Sequence, residues 1–120
     1  VRIAPADQIL VLGEGIETML SVREAAPSLP VWAALSSGHL GAVLLPDGLQ
    51  RLYIAIDRDP AGQRAAERLA ARATEAGIAV WVLEPQLGDF NDDLRAHGAK
   101  ALRQHLAQQI DLKDQYRLTI

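Results

Sequence analysis

Acidic side chains follow three of the apolar runs in this 120-residue chain. Glu14 stands between two glycines after the first run, Asp57 and Asp59 follow a later one, and Asp89 follows the next. Carboxylates that converge in space resist ionisation because their charges repel one another. A hard divalent cation such as Mg²⁺ removes that conflict, since it takes oxygen ligands. These residue types therefore predict a metal site, provided that the fold brings the positions together.

Each acidic residue also has a structural explanation when it is taken alone. A single Asp after a strand is commonly a turn residue or a helix cap. Asp59 precedes Pro60 and has the chemistry of an N-cap before a first helical residue. Asp92 and Asp93 stand where a helix is expected to begin and would complement its dipole. The joint occurrence of the acidic residues, and no single one of them, carries the metal-site prediction.

The elements that would position these residues alternate regularly along the chain. Apolar runs predict strands at 9–12, 31–35, 52–56 and 78–83, and helical spacing predicts helices at 17–25, 39–44, 60–76, 91–97 and 99–109. Near-continuous apolar strands that alternate with helices predict an α/β fold with a four-stranded, mainly parallel sheet and helices on both faces. Right-handed crossovers place the carboxyl ends of all strands at one edge, where ligands bind. The acidic residues should meet at that edge.

Length and composition predict one domain over 1–120, with a core at about 9–106. The absence of cysteine excludes disulfides and thiolate metal sites. Neither a membrane span nor an export signal is recognisable, so we expect a cytoplasmic protein without membrane contact. The chain begins at Val1 without an initiator Met and ends in a polar stretch. We therefore expect a fragment of a longer protein.

The formal net charge is −3, whereas a domain that binds nucleic acid by itself is usually basic. Either the protein does not bind nucleic acid, or divalent cations and neighbouring domains supply the positive charge. Arg64, Arg68 and Arg72 recur every four residues on the longest predicted helix, with Glu67 and Glu75 nearby. This pattern favours a solvated helix face over a phosphate-binding track.

Three segments resemble the motifs of the Toprim family in order and spacing. They are LGEGIET at 12–18, IDRDPAG at 56–62 and GDFND at 88–92. The family signature is a Glu-Gly after the first strand and an Asp-x-Asp after a later one, on a Rossmann-like fold. The family includes primases, topoisomerases and certain nucleases. The Pro-Ala-Gly continuation into an alanine-rich helix is similar to primases, above all to plasmid and phage primase–helicase proteins.

The resemblance implies roles for the acidic residues. Asp57 and Asp59 would hold Mg²⁺, for which Mn²⁺ could substitute, and Asp89 would be a further ligand. Glu14 would act as general base or acid, or would share a metal. The implied reaction is nucleotidyl transfer, in which a 3′-hydroxyl attacks a nucleotide and pyrophosphate leaves. Asn91 stands where cellular replicative primases commonly carry a second Asp, so we expect fewer tightly bound ions than in those enzymes.

Several other residues are candidate contacts to phosphate or nucleic acid, namely Gly15, Ser37, Gly38 and Arg58. The turn that contains Ser37 and Gly38 opens onto the same edge, and backbone N–H groups at a helix start can receive a phosphate. A plain glycine turn is the structural alternative. The resemblance also implies partners: a DNA template and primer, nucleoside triphosphates bound through neighbouring domains, and a helicase domain or subunit.

Other functions are compatible with part of the pattern. A Toprim nuclease would use the same carboxylates to direct water at a phosphodiester, and a non-catalytic Toprim module would bind nucleic acid or a partner protein. A signalling receiver domain needs an acidic pair after the first strand and a lysine after a late strand, but the lysines here are Lys100 and Lys113. A haloacid-dehalogenase-like phosphatase would need a threonine where Ala61 stands. The sequence therefore disfavours these last two classes.

Overall fold

The computed structural model of the protein describes residues 1–3 and 7–118. The strands are β1 (Ile9–Gly13), β2 (Val31–Ala33), β3 (Arg51–Ala55) and β4 (Ala79–Leu83). The helices are α1 (Ile16–Ala25), α2 (Ser37–Ala42), α3 (Pro60–Glu75), α4 (Phe90–His97) and α5 (Ala99–Ala107), followed by a C-terminal 3₁₀ helix (Leu112–Leu118). This order matches the predicted alternation of strands and helices.

The four strands form one parallel sheet in the order β2-β1-β3-β4. The pairing register aligns Leu12 of β1 with Trp32 on one side and with Ile54 on the other. Since every pairing is parallel, the carboxyl ends of all four strands lie at one edge. The predicted α/β class and the parallel sheet are therefore confirmed.

Helices cover both faces of the sheet, as predicted. One apolar cluster contains Ile9 and Val11 of β1 together with residues of α1, α4 and α5. The other contains Leu10 and Leu12 of β1 together with residues of α2 and α3. Successive residues of a strand point to opposite faces, so both sets of side chains in β1 are buried, which explains its unbroken apolar run. Within the described ranges, no helix has the length and apolar character that crossing a lipid bilayer requires.

Gly13 ends β1 at a point of close packing. A Cβ atom at this position would overlap the Sδ atom of Met19 and would lie 3.0 Å from the carbonyl oxygen of Ala55. Both approaches are closer than ordinary van der Waals contact, so a side chain here would displace the Met19 side chain or the backbone of β3. The glycine before Glu14 therefore lets β1, α1 and β3 approach one another at the edge that carries the acidic residues.

The boundaries at the second strand differ from the prediction. β2 ends at Ala33, two residues earlier than expected, and Leu35 has a positive φ of 77°. The N–H groups of Ala34 and Leu35 donate to the carbonyls of Gly13 and Glu14, so the chain turns across the end of β1. The helix that follows begins at Ser37 and not at His39, because the Ser36 side chain accepts from the His39 N–H as its N-cap.

Candidate metal centre

Three carboxylates meet at the carboxyl edge of the sheet. Glu14 follows β1, and Asp57 and Asp59 follow β3, its neighbour in the sheet. One carboxylate oxygen from each of the three lies within 4.8 Å of the others. We call Glu14, Asp57 and Asp59 the acidic triad. The structure thus brings together three of the acidic residues that the sequence singled out, across more than 40 residues of chain.

The carboxyl group of Asp57 has a raised pKa in this setting. Burial raises the pKa of its carboxyl group, and the charges of Asp89 and Glu14 raise it further, to about 6. A hydrogen bond from the Thr18 hydroxyl to Asp57 Oδ1 at 3.3 Å acts in the opposite direction, but it does not outweigh these effects. Ionisation of Asp57 is therefore less favourable here than in water, and a bound cation would offset that cost.

Asp59 is held by the helix that it begins. Its Oδ1 atom accepts a hydrogen bond from the N–H of Gly62 at 2.6 Å, so it is the N-cap of α3, as predicted. Its own N–H donates to the carbonyl of Asp57 at 2.9 Å. Capping one oxygen fixes the side chain and leaves the carboxylate beside the other two members of the triad. The structural and the metal-binding explanations of Asp59 are thus compatible.

Asp89 lies close to the triad but is not part of it. It is the N-cap of α4, and its Oδ1 atom accepts from the N–H of Asp92 at 2.8 Å. Its charge contributes to the raised pKa of Asp57, which shows that it is near that carboxyl group. Among the described residues, however, only the triad brings its oxygens within 4.8 Å of one another. Asp89 is therefore an outer acidic residue of the site in this structure.

Arg58, between the two aspartates of the triad, forms hydrogen bonds with the loop that precedes Asp89. Its N–H donates to the carbonyl of Gly88 at 2.8 Å, and its Nε atom donates to the carbonyl of Leu87 at 3.0 Å. The guanidinium group also donates to the carbonyl of Pro85. The side chain predicted as a phosphate contact is thus engaged in connecting the ends of β3 and β4.

A second set of hydrogen bonds holds this loop in place, and sequence reasoning missed it. The buried carboxylate of Asp93 accepts from the N–H groups of Gln86 and Leu87, both at 2.8 Å. Ser21 of α1 donates to Asn91 Oδ1 at 3.2 Å, which joins α1 to α4 beside the site. The sequence suggested only a dipole complement for Asp93, because the folding back of the loop over its own helix leaves no local signal.

The remaining predicted contacts lie around the same edge. Gly15 is the N-cap residue of α1, next to Glu14. Ser37 and Gly38 begin α2 and line a groove between α2 and α3. Thr18, which sequence reasoning also missed, stands in the first turns of α1 and contacts Asp57 from there. Its position four residues after Glu14, on a helix that starts at the site, was the available signal.

The donor set fits a hard divalent cation. The triad offers only carboxylate oxygens, which Mg²⁺ and Mn²⁺ accept as ligands. In the described part of the chain, the ion pairs join Arg51 to Asp114 and Arg117 to Asp7, away from this edge. No side chain of the described residues therefore forms an ion pair with the triad.

Comparison with known proteins supports the same fold. One similar solved structure is bacteriophage T7 lagging-strand DNA polymerase interacting with primase domains of two gp4 subunits bound to an RNA/DNA hybrid and dTTP, with 24% identity and a TM-score of 0.58. A second is the Aquifex aeolicus primase (zinc-binding and RNA polymerase domains), with 22% identity and a TM-score of 0.56. The matches cover 82% and 88% of this chain, but only 54% and 27% of those chains.

No curated protein matches the chain at a significant level. The family model of the Toprim domain matches residues 9–100, which include the acidic triad, Asp89 and the whole sheet. The resemblance read from the three sequence motifs is thereby confirmed. The chain belongs to the Toprim family.

Proposed function

We propose that the chain is the catalytic Toprim domain of a primase-like protein and supports Mg²⁺-dependent nucleotidyl transfer on nucleic acid. The observation that carries the proposal is the acidic triad, whose oxygens converge within 4.8 Å at the ligand-binding edge of a parallel sheet. The fold is shared with two solved primase proteins, one of which is bound to an RNA/DNA hybrid and dTTP. The chain spans only part of each, so template and nucleotide contacts would come also from neighbouring domains.

The residues of the site would have separate roles in metal binding and proton transfer. Asp57 and Asp59 would hold Mg²⁺, with Thr18 and the Gly62 N–H fixing one oxygen of each carboxylate. Glu14 would share the cation or accept the proton of the attacking 3′-hydroxyl, since one of its carboxylate oxygens lies within 4.8 Å of oxygens of Asp57 and Asp59. When bound, the cation supplies neutralisation of phosphate charge and alignment of the attacking oxygen. Asp89, as an outer acidic residue, would bind a further ion only weakly.

Metal binding tests the first part of the proposal. We expect Asp57→Asn and Asp59→Asn each to weaken Mg²⁺ binding about tenfold or more, measured by calorimetry or by NMR titration, because each removes a charged oxygen ligand. Asp92→Asn is the matched control, since Asp92 is an exposed carboxylate in the first turn of α4, outside the triad. Unchanged Mg²⁺ affinity in both triad variants would refute the metal site.

Primer synthesis tests the second part, in the polypeptide to which the chain natively belongs. We expect the same two substitutions to reduce primer synthesis on a single-stranded template by about 10²-fold or more, the scale of losing a group that stabilises transition-state charge. The same reactions should be examined for strand cleavage. Mg²⁺-dependent cleavage without synthesis would identify a Toprim nuclease, and Mg²⁺ binding with neither activity would identify a non-catalytic module.

A further inference from the structure

The three arginines that repeat along α3 have different surroundings. Arg72 donates through Nη1 to the carbonyl of Gly41 and through Nη2 to the carbonyl of Val43, each at 2.8 Å. It therefore ties α3 to the end of α2 and is structural. The guanidinium groups of Arg64 and Arg68 form no hydrogen bond or ion pair with any described residue, and both side chains are exposed.

Arg64 and Arg68 face a groove between α2 and α3. The groove has a volume of about 240 Å³ and is lined by Ser37, Gly38 and Gly41 of α2 and by Ala61, Arg64 and Arg68 of α3, among others. The position of a Cβ atom on Gly41 would be 3.2 Å from Arg68 Cδ, so the arginine stem lies directly against the glycine. One wall is made of small residues, and the other carries two cationic groups.

The opposite side of α3 has the opposite character. There the helix and β4 border a second depression, of about 340 Å³, that is lined by Glu67, Glu84 and the apolar residues Ile56 and Val82. Glu67 thus faces away from the arginines, and no ion pair joins it to either of them in the described structure. Glu67 and the two arginines therefore line different depressions on either side of α3.

The basic groove begins at the acidic triad. Asp59 is the N-cap of α3, and Ala61, two residues later, already lines the groove. With a helical rise of 1.5 Å per residue, Arg64 and Arg68 lie roughly 7 and 13 Å from Asp59 along the helix axis. The two cations are therefore about one turn apart on a path that leads away from the candidate metal centre.

We propose that this groove binds the sugar–phosphate backbone of a single-stranded polynucleotide, with Arg64 and Arg68 contacting phosphates as the strand leaves the acidic triad. Guanidinium groups bind phosphate oxygens in bidentate geometry, and Gly38 of α2 leaves room for a backbone to approach. Two spaced cations suit a chain of phosphates. The inference rests on the proposed function, which requires a template or primer at this edge.

Binding of an oligothymidylate tests the inference, measured by NMR titration with EDTA present over a salt series around 0.1 M, where the Debye length is about 10 Å. We expect amide shifts at Ser37, Gly38, Gly41, Ala61 and Ala65. Arg64→Gln combined with Arg68→Gln should weaken binding about tenfold and lower the slope of log K against log[salt] by about 1.4, or about 0.7 for each phosphate that is no longer neutralised. Arg64→Lys combined with Arg68→Lys should retain most of the affinity, because the charge remains.

Arg95→Gln combined with Lys100→Gln is the matched control, since it removes two exposed cations from α4 and α5. We expect it to weaken binding less than about twofold, because exposed charges beyond a Debye length are largely screened. If the Arg95/Lys100 variant weakened binding as much as the Arg64/Arg68 variant, the affinity would depend on net charge and not on the groove, and the inference would be overturned. Displacement of the oligonucleotide by thymidine triphosphate, with shifts of the same amides, would overturn it too, because the groove would then be a nucleotide pocket.

The outcome is separable from that of the proposed function because the titration excludes Mg²⁺. If the triad fails to bind Mg²⁺ while the arginine pair still governs oligonucleotide affinity, the proposed function fails and the groove stands. If Asp57→Asn abolishes Mg²⁺ binding and the arginine pair has no effect on the oligonucleotide, the metal centre stands and the groove is wrong. An unchanged amide spectrum outside the groove verifies that the variants are folded.

Discussion

The two ends of β3 carry aspartates in opposite electrostatic settings. Asp57 follows the carboxyl end of the strand and faces Glu14, Asp59 and Asp89. Asp114 lies at the amino end, where Arg51 begins the strand. The same side-chain type is thus placed among like charges at one edge of the sheet and beside a cation at the other.

Asp114 is fully satisfied by the protein. Its carboxylate is buried and accepts from Nε and Nη2 of Arg51 at 2.8 and 2.9 Å, and from the Tyr53 hydroxyl at 2.5 Å. Burial by itself would raise the pKa of Asp114, but the hydrogen bonds from Arg51 and Tyr53 and the charge of Arg51 lower it below the ordinary value. This network anchors the C-terminal 3₁₀ helix against the start of β3.

The contrast separates a structural carboxylate from a functional one. Where the chain supplies its own cation, the pKa falls and the side chain stabilises the fold. Where a carboxyl group is buried beside further carboxylates, as at Asp57, burial and the neighbouring charges raise its pKa to about 6, and its ionisation costs stability. Such a cost is tolerated where an external cation relieves it, which is why we assign function to the carboxyl edge.

Replacement of Asp114 should give the largest change in stability. Asp114→Asn removes the charge that faces Arg51 and Tyr53, so we expect the free energy of unfolding to fall by about 3 kcal/mol, the scale of breaking a buried ion pair. Urea unfolding at neutral pH measures it. Asp47→Asn is the control, because Asp47 is an exposed loop residue. If Asp114→Asn lowered the free energy of unfolding no more than the control does, Asp114 would not be a stabilising carboxylate and the contrast with Asp57 would fail.

Replacement of Asp57 should act in the opposite direction. In the folded, metal-free protein its pKa is raised from 3.8 to about 6, so ionisation near pH 7 costs stability. We expect Asp57→Asn to raise the free energy of unfolding by about 1 kcal/mol in EDTA, after allowance for solvent exposure.

The sign of that change depends on pH. Since the raised pKa favours the protonated folded state, wild-type stability attributable to Asp57 is present below pH 3.8 and is lost as pH rises through about 6. The advantage of Asp57→Asn should therefore shrink towards acidic pH, and added Mg²⁺ should stabilise only the wild type. Destabilisation of the metal-free protein by Asp57→Asn at pH 7 would contradict the like-charge account.

Removal of the Thr18 hydroxyl should have the smallest effect. Thr18→Val keeps the shape of this buried side chain but deletes its hydrogen bond to Asp57. Because that bond lowers the pKa of Asp57, we expect the pKa to rise above about 6, and Mg²⁺ affinity near that pH to decrease by roughly twofold. NMR titration of the Asp57 carboxyl carbon provides the measurement. Ser28→Ala, an exposed hydroxyl deletion, is the control, and an unchanged pKa in Thr18→Val would contradict the assignment of this bond.

Much of the fold and the core of the site follow from the chain alone. Unbroken apolar runs such as residues 9–12 predict strands that are buried on both faces, and alternation with helices predicts their parallel arrangement. Parallel strands end at one edge, so the sequence predicts the approach of Glu14 to Asp57 and Asp59 that the structure shows. Chain topology alone brings these residues to the same edge of the sheet.

Contacts made by long-range packing could not be predicted in this way. The arginine repeat on α3 does not predict that Arg72 donates to carbonyl groups at the end of α2 while Arg64 and Arg68 line a groove. The difference depends on where α2 packs against α3. The polar C-terminal stretch likewise gives no sign that Asp114 is buried against Arg51.

The sequence by itself determined the succession of elements, the parallel sheet and the edge at which the acidic residues gather, since these depend on local periodicity and chain connectivity. Only the tertiary structure decided which carboxylates have oxygens within 4.8 Å of one another and which carboxylate is paired with an arginine. It also decided which arginines form no ion pair with the described residues. Those outcomes depend on distances of a few ångströms between side chains distant in sequence, and Coulomb and hydrogen-bond energies change steeply over that range.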